Sequence, residues 1–140
     1  MTLLQGESRL LTWARDPVGG VTVILARGEH LVHQAIYERL QGIARAGRTI
    51  SYHEIAPLAG LDMGNPAHRN EIAEILYEIS THEHREGRPL LSAVVIREDE
   101  NLPGQGFFTM ARELGLYTGT DDVAFFAQEL TRVFAAWRNG

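Results

Sequence analysis

The sequence predicts an α+β fold in which three helices and one short apolar strand form the centre of the chain. Three observations indicate it: a helical apolar pattern over residues 29–46, helix-start signals at 51–54 and 65–66, and the apolar run PLLSAVVI at 89–96. A polar segment with Pro and Gly, REDENLPGQG at 97–106, follows that run. This order is typical of a winged helix-turn-helix core, with the polar segment as the wing.

The N-terminal residues predict a β-hairpin extension over residues 1–28. The segments LLTWAR (10–15) and VTVILAR (21–27) are apolar and rich in residues that favour strands. They flank DPVGG (16–20), whose Pro and Gly favour a turn. We therefore expect a hairpin across residues 10–26.

The helix-turn-helix begins after the first amphipathic helix, which runs from Glu29 and should end at Gly47. Ser51 and Glu54 match the S-x-x-E capping box, so a second helix should span residues 51–60. Asn65 followed by Pro66 is a strong start signal for a third helix over 66–86.

The remaining elements are a strand near 90–97, a loop near 98–105 and two C-terminal helices. The helices are a short one at FFTMAREL (107–114) and an amphipathic one over 121–137. Because no long linker divides the chain, we expect one domain over residues 1–140. It would comprise the hairpin extension 1–28, the winged-helix core 29–107 and the C-terminal helices 108–140.

Composition excludes several classes of function. The chain of 140 residues has no cysteine, which excludes disulfides, thiolate metal sites and cysteine nucleophiles. It has no apolar run long enough to span a membrane and no signal-peptide pattern, so we expect a cytoplasmic protein without membrane partners. The six histidines have no spacing that brings three ligands together, so we expect no metal and no cofactor.

The charge distribution opposes nucleic-acid binding. The net charge is −5 at pH 7, and all 13 basic residues are arginine. Residues 66–105 carry four arginines against eight acids, a local balance of −4. The predicted wing carries Glu98, Asp99 and Glu100 in succession, whereas a wing on DNA needs cations to neutralise phosphates.

The segments TISYHEIAPLAG (49–60) and GNPAHRNEIAEIL (64–76) nevertheless resemble the DNA-binding half of the O6-alkylguanine DNA alkyltransferases and the alkyltransferase-like proteins. The resemblance covers residues 47–107. Those families show an SYGEIA pattern, a Gly-Asn-Pro turn and a helix with an Arg near its start. In them the Tyr contacts a DNA phosphate and the Arg enters the duplex as a nucleotide flips out. The resemblance implies these roles for Tyr52 and Arg69.

The chain departs from those families at the reactive segment. Their Pro-Cys-His-Arg motif falls at LLSAVVI (90–96), so Ser92 stands at the cysteine position, followed by Ala93 and Val94. The Trp that alkyltransferase-like proteins carry there is also missing. Alkyl transfer needs an activated thiolate with a histidine partner, so the sequence excludes it, and we identify no catalytic residue.

Three interpretations stay open, of which the third, an enzyme, has no coherent site in the sequence. In the first, the protein binds DNA weakly through the helix-turn-helix, and the candidate contacts are Tyr52, Arg69, Arg45, Arg48 and Gln105. In the second, it is an acidic module that keeps the winged-helix shape for a protein partner or a homodimer. In this second interpretation Arg69 forms surface ion pairs with Glu71 and Glu74, and Tyr52 is a packing residue.

Overall fold

The structure is a computed structural model that describes residues 23–25 and 31–138. These residues form a mainly helical arrangement with two small sheets, which is compatible with the α+β part of the predicted fold class. The strands are β1 Val23–Leu25, β2 Leu31–His33, β3 Ile50–Ser51 and β4 Val95–Ile96. The α-helices are α1 Gln34–Arg45, α2 Tyr52–Ile55, α3 Pro66–Arg85, α4 Gln105–Glu113 and α5 Asp122–Arg138. Two 3₁₀-helices, Ala56–Ala59 and Leu91–Val94, precede the α2–α3 turn and β4 respectively. None of the described helices is long and apolar enough to cross a bilayer.

The first helix begins at Gln34, so the prediction of a helix from Glu29 is wrong at its N-terminus. Strand β2 occupies the preceding residues and pairs antiparallel with β1, which holds this segment extended. His33 then caps α1, because its Nδ1 accepts the backbone N–H of Ile36 at 3.3 Å. The predicted hairpin partner of β1, residues 10–15, lies outside the described residues.

The helix-turn-helix signals give the helices that they predict. The Ser51 Oγ accepts the Glu54 N–H at 3.1 Å, and Glu54 Oε1 accepts the Ser51 N–H at 3.2 Å. The chain continues as a 3₁₀-helix until Gly60, whose φ of 72° ends it in the left-handed region. Asn65 Oδ1 accepts the Ala67 N–H at 2.9 Å and starts α3. The helices predicted at 51–60 and 66–86 are confirmed.

The predicted strand at 90–97 is largely wrong, because Leu91–Val94 is a 3₁₀-helix and only Val95–Ile96 is extended. In this segment, side chains accept backbone N–H groups that would bond to a neighbouring strand in a β-sheet. Glu129 Oε2 accepts the Leu90 N–H at 2.8 Å, and Ser80 Oγ accepts the Ser92 N–H at 3.0 Å. Strand β4 then pairs in parallel with β3, so this short sheet joins the start of α2 to the centre of the protein.

The segment after β4 is a tight turn. The Arg97 N–H donates to the Leu102 carbonyl at 2.8 Å, which forms an isolated antiparallel bridge. The Arg97 guanidinium lies 3.3 Å from a carboxylate oxygen of Asp99 and 3.3 Å from one of Glu100. The predicted loop at 98–105 is therefore present, with α4 beginning at its last residue.

The core is built around the apolar segment before this turn. Leu90, Leu91 and Val94 have no exposed surface, and helices α1, α3 and α5 all contact the Leu91–Val94 segment. The prediction that this segment is buried is confirmed. Its central position brings Ser92 into contact with Ser80 of α3.

Candidate functional site

A cavity of about 530 Å³ lies between α2, α3, α4 and the turn after β4. This volume is within the range of small-molecule and cofactor sites. Apolar side chains form much of its wall: Met63, Ile72, Ala73, Leu76, Phe107 and Met110. The polar and charged side chains at the wall are Tyr52, Arg69, Glu74, Tyr77, Ser92 and Arg97. Gly104 and Gly106 complete it at the start of α4.

One face of α3 supplies the largest part of the wall. Arg69, Ile72, Ala73, Leu76 and Tyr77 recur at helical intervals of three and four, so their side chains lie on the same side of the helix. The exposed Arg69 lies on the first turn and Ile72 is buried one turn later. The start of α3 at Pro66 therefore fixes which residues face the cavity.

Arg69 is exposed and lines the cavity near the N-terminus of α3. Its guanidinium has no hydrogen bond or ion pair with any residue that the structure describes, including Glu71 and Glu74. The surface ion pairs considered for it are therefore not formed. An arginine without an internal partner keeps all its N–H donors available for a ligand.

Tyr52 has a structural contact as well as a position on the cavity wall. Its half-buried hydroxyl accepts the Gly104 N–H at 2.9 Å, which ties α2 to the start of α4. A Cβ at Gly104 would lie 3.4 Å from the Tyr52 Oη, so the close approach suits a glycine. Burial raises the pKa of Tyr52, so the hydroxyl keeps its proton. No hydrogen bond donated by this hydroxyl to another described residue is formed.

The structure separates the other three candidate residues. Gln105 is exposed, and its neighbours Gly104 and Gly106 both line the cavity. Arg48 is exposed and does not line the cavity. Arg45 lies elsewhere, with its guanidinium carbon 5.3 Å from the ring centre of Trp137 on α5. Tyr52 and Arg69 share one cavity, Gln105 flanks it, and the other two arginines lie outside it.

Ser92 and Arg97 are wall residues that sequence reasoning did not place at a binding site. Ser92 is only 4% exposed, and its Oγ is 2.7 Å from the Ser80 Oγ of α3. The comparison with a reactive cysteine drew attention to the Ser92 position, but only as a lost nucleophile. No pattern in the sequence marks Arg97, whose place depends on the pairing of β3 with β4.

The charged residues near the cavity differ in exposure and in their partners. Glu78 and Glu83 of α3 are buried, so they do not present charge to a ligand at the surface. The charged side chains at the cavity wall are Arg69, Arg97 and Glu74, and the Arg97 guanidinium lies 3.3 Å from carboxylate oxygens of both Asp99 and Glu100. Arg69 is therefore the arginine at the wall that has no acidic partner among the described residues.

Neither metal geometry nor a relative identifies this site. Within residues 23–25 and 31–138, no group of three or more His, Asp or Glu side chains is arranged to hold a metal ion. No protein-family model, no curated protein and no solved structure matches the chain, so the cavity's own chemistry carries the functional argument.

Proposed function

We propose that this protein is a non-catalytic nucleic-acid-binding protein of the winged-helix type, with a wing reduced to the turn after β4. In this proposal the N-terminus of α3 binds the phosphate backbone, and the cavity receives one unstacked base. The observation that carries the proposal is the unpaired guanidinium of Arg69 at the rim of an apolar cavity, on the first turn of α3.

The N-terminal end of α3 suits a phosphate. A helix N-terminus carries a partial positive charge, which favours anions. Arg69 adds a full charge and the bidentate donors that match phosphate oxygens. The first amides of the helix already have acceptors: Pro66 has no N–H, Asn65 Oδ1 accepts the Ala67 N–H, and the Asn65 carbonyl accepts those of His68 and Arg69. The Arg69 side chain, supported by the helix dipole, would therefore be the group that holds a phosphate at this end.

The cavity suits a flat heterocycle. Its apolar walls exclude water from the faces of a ring, and the aromatic rings of Phe107 and the 40% exposed Tyr77 lie at the wall. Stacking of a base on an aromatic side chain contributes about 1–3 kcal/mol and does not depend strongly on base identity. A base reaches such a cavity most readily from single-stranded or mismatched DNA, where it is already unstacked.

A second candidate is a protein-interaction module. The acidic turn at 98–100 beside the cavity would suit a basic peptide with one apolar anchor in the cavity. Arg69 argues against this occupant, because a basic peptide would be repelled by an unpaired guanidinium. We therefore favour nucleic acid, and the experiment below separates the two.

The test is a fluorescence-anisotropy titration of the full chain against single-stranded, mismatched and fully paired DNA over a range of salt concentrations. We expect affinity to be higher for single-stranded and mismatched DNA than for fully paired DNA. The logarithm of the affinity should fall linearly with the logarithm of the salt concentration. Arg69→Ala should weaken binding about tenfold or more, the loss expected for a charge-assisted hydrogen bond.

The matched control is Arg39→Ala, which removes an exposed arginine of α1 that does not line the cavity. Affinity should be unchanged in this variant, and Tm should be unchanged in both. Equal losses in the two variants would show only a non-specific charge effect. Absence of binding at the lowest salt concentration would refute the proposal and favour the peptide-binding module.

A further inference from the structure

Ser92 is a polar residue in a mainly apolar part of the cavity wall. It is 4% exposed, and its neighbours Leu91 and Ala93 have no exposed surface. Phe107 and Met110, which also line the cavity, are buried. Since a buried hydroxyl is costly unless it is hydrogen-bonded, its bonding partners indicate what the inner wall can recognise.

The hydrogen bonds of Ser80 and Ser92 determine where their two hydroxyl protons point. Ser80 Oγ accepts the Ser92 N–H at 3.0 Å and lies 2.7 Å from the Ser92 Oγ. Each hydroxyl has one proton, so only one of the two residues can donate across this contact. Ser80 has no exposed surface, so its proton needs this internal acceptor. Ser80 therefore donates to Ser92.

The hydroxyl proton of Ser92 is then available to donate a hydrogen bond to a ligand in the cavity. No other described residue accepts it, and Ser92 lines the cavity wall. The contact with Ser80 and the 3₁₀ backbone of Leu91–Val94 hold the Ser92 oxygen in place. A donor that is fixed before binding loses little conformational freedom when a ligand arrives.

We propose that Ser92 is a specificity-determining residue that donates a hydrogen bond to a carbonyl oxygen of the bound heterocycle. This inference rests on the proposed function, since it assigns the chemistry of the base that the cavity receives. A base with a carbonyl at its inserted edge binds better than one of the same shape without it. In the second case the Ser92 proton stays buried without an acceptor, which lowers affinity.

The experiment compares two single-stranded oligonucleotides that differ at one position. One carries thymine, and the other carries difluorotoluene, which has nearly the same shape but is a very weak hydrogen-bond acceptor. The remaining positions are abasic, so that one ring is available to the cavity. We expect the full-length protein to bind the thymine oligonucleotide about three- to tenfold more tightly, the effect of one neutral hydrogen bond. This comparison needs no variant, so a folding defect cannot obscure it.

Ser92→Ala then tests the assignment to this residue. Affinity for thymine should fall to the level of difluorotoluene, and affinity for difluorotoluene should stay the same or rise. Ser80→Ala retains the Ser92 hydroxyl but removes its anchor, so the preference for thymine should be reduced without being lost. If the role of Ser92 were purely structural, Ser92→Ala would instead lower the affinity for both oligonucleotides equally.

The outcomes separate this inference from the proposed function. Equal wild-type affinity for the two oligonucleotides, with the Arg69→Ala loss intact, overturns the Ser92 assignment and leaves nucleic-acid binding in place. A preference for thymine that survives Ser92→Ala also overturns it. If neither oligonucleotide binds, both proposals are overturned together.

Discussion

Glu83 is a fully buried acid whose carboxylate accepts hydrogen bonds from two other side chains. Its carboxylate accepts two hydrogen bonds from the Arg88 guanidinium, at 2.7 and 3.0 Å, and one from the Tyr37 hydroxyl at 2.6 Å. Burial and this hydrogen bond raise the pKa of Tyr37 to about 12, and the bond to Glu83 raises the pKa of Arg88. Tyr37 and Arg88 therefore keep their protons at neutral pH.

Glu83→Gln should lower the free energy of unfolding by about 2–4 kcal/mol, because it leaves Arg88 without its carboxylate in a partly buried position. The matched control is Asp99→Asn, which weakens an ion pair between two well-exposed side chains. Such surface pairs contribute about 0–1 kcal/mol, so this variant should be nearly neutral. Urea unfolding of both variants measures the difference, and equal losses would contradict the role given to burial.

At the scale of an element, the N-terminus of α1 depends on the protonation of His33. The side chain has no exposed surface, and burial lowers its pKa from the ordinary value. Its Nδ1 must be unprotonated to accept the Ile36 N–H, so a proton there removes the cap. Acid should therefore weaken the attachment of α1 to β2.

The sign of the pH dependence follows from the lowered pKa. The unfolded chain binds this proton more readily than the folded protein, so the contribution of His33 to stability is complete above pH about 6.5. It is lost as the pH falls towards the folded-state pKa. We expect Tm to fall from pH 7 to pH 5, and to fall less in His33→Asn, whose amide can cap without titrating. Parallel Tm curves for the two proteins would exclude His33 as the cause.

Elements that are fixed by hydrogen bonds between residues close in sequence could be predicted from the sequence. Elements that are fixed by residues far away in sequence could not. Ser51 caps a residue three positions away, and Asn65 caps one two positions away, so both helix starts were visible. The 3₁₀ segment depends on Ser80 and Glu129, which are 12 and 39 residues from the amides that they accept. An apolar run of this kind fits a strand equally well when such partners are unknown.

At the scale of the whole molecule, the same distinction applies to the cavity. Tyr52 and Arg69 were selected by resemblance to a family pattern, and the structure brings them to one cavity. Arg97 and Phe107 reach that cavity because β4 pairs with β3 and α4 packs on α3, which are contacts between distant parts of the chain. The acids of residues 66–105 also differ in exposure, since Glu78 and Glu83 are buried within α3, which the sequence alone did not indicate.

We expect the acceptors that hold the central 3₁₀ segment to protect the protein against aggregation as well. A run such as LLSAVVI, apolar and β-branched with no charge, is the kind of sequence that forms cross-β contacts between unfolded or partly open chains. In the folded protein the Leu90 N–H is occupied by Glu129, which is 2% exposed, and the Ser92 N–H by Ser80.

Glu129→Ala should release the Leu90 amide and loosen the contact of α5 with this segment. We expect this variant to scatter light and bind thioflavin T when it is incubated a few degrees below its Tm. Arg132→Ala, which removes only the exposed partner of Glu129, should remain clear under the same conditions. The Glu129 carboxylate would then protect the segment from aggregation. Its hydrogen bond with the Leu90 N–H fixes the fold of the segment, and the loss of that bond makes the segment available to other chains.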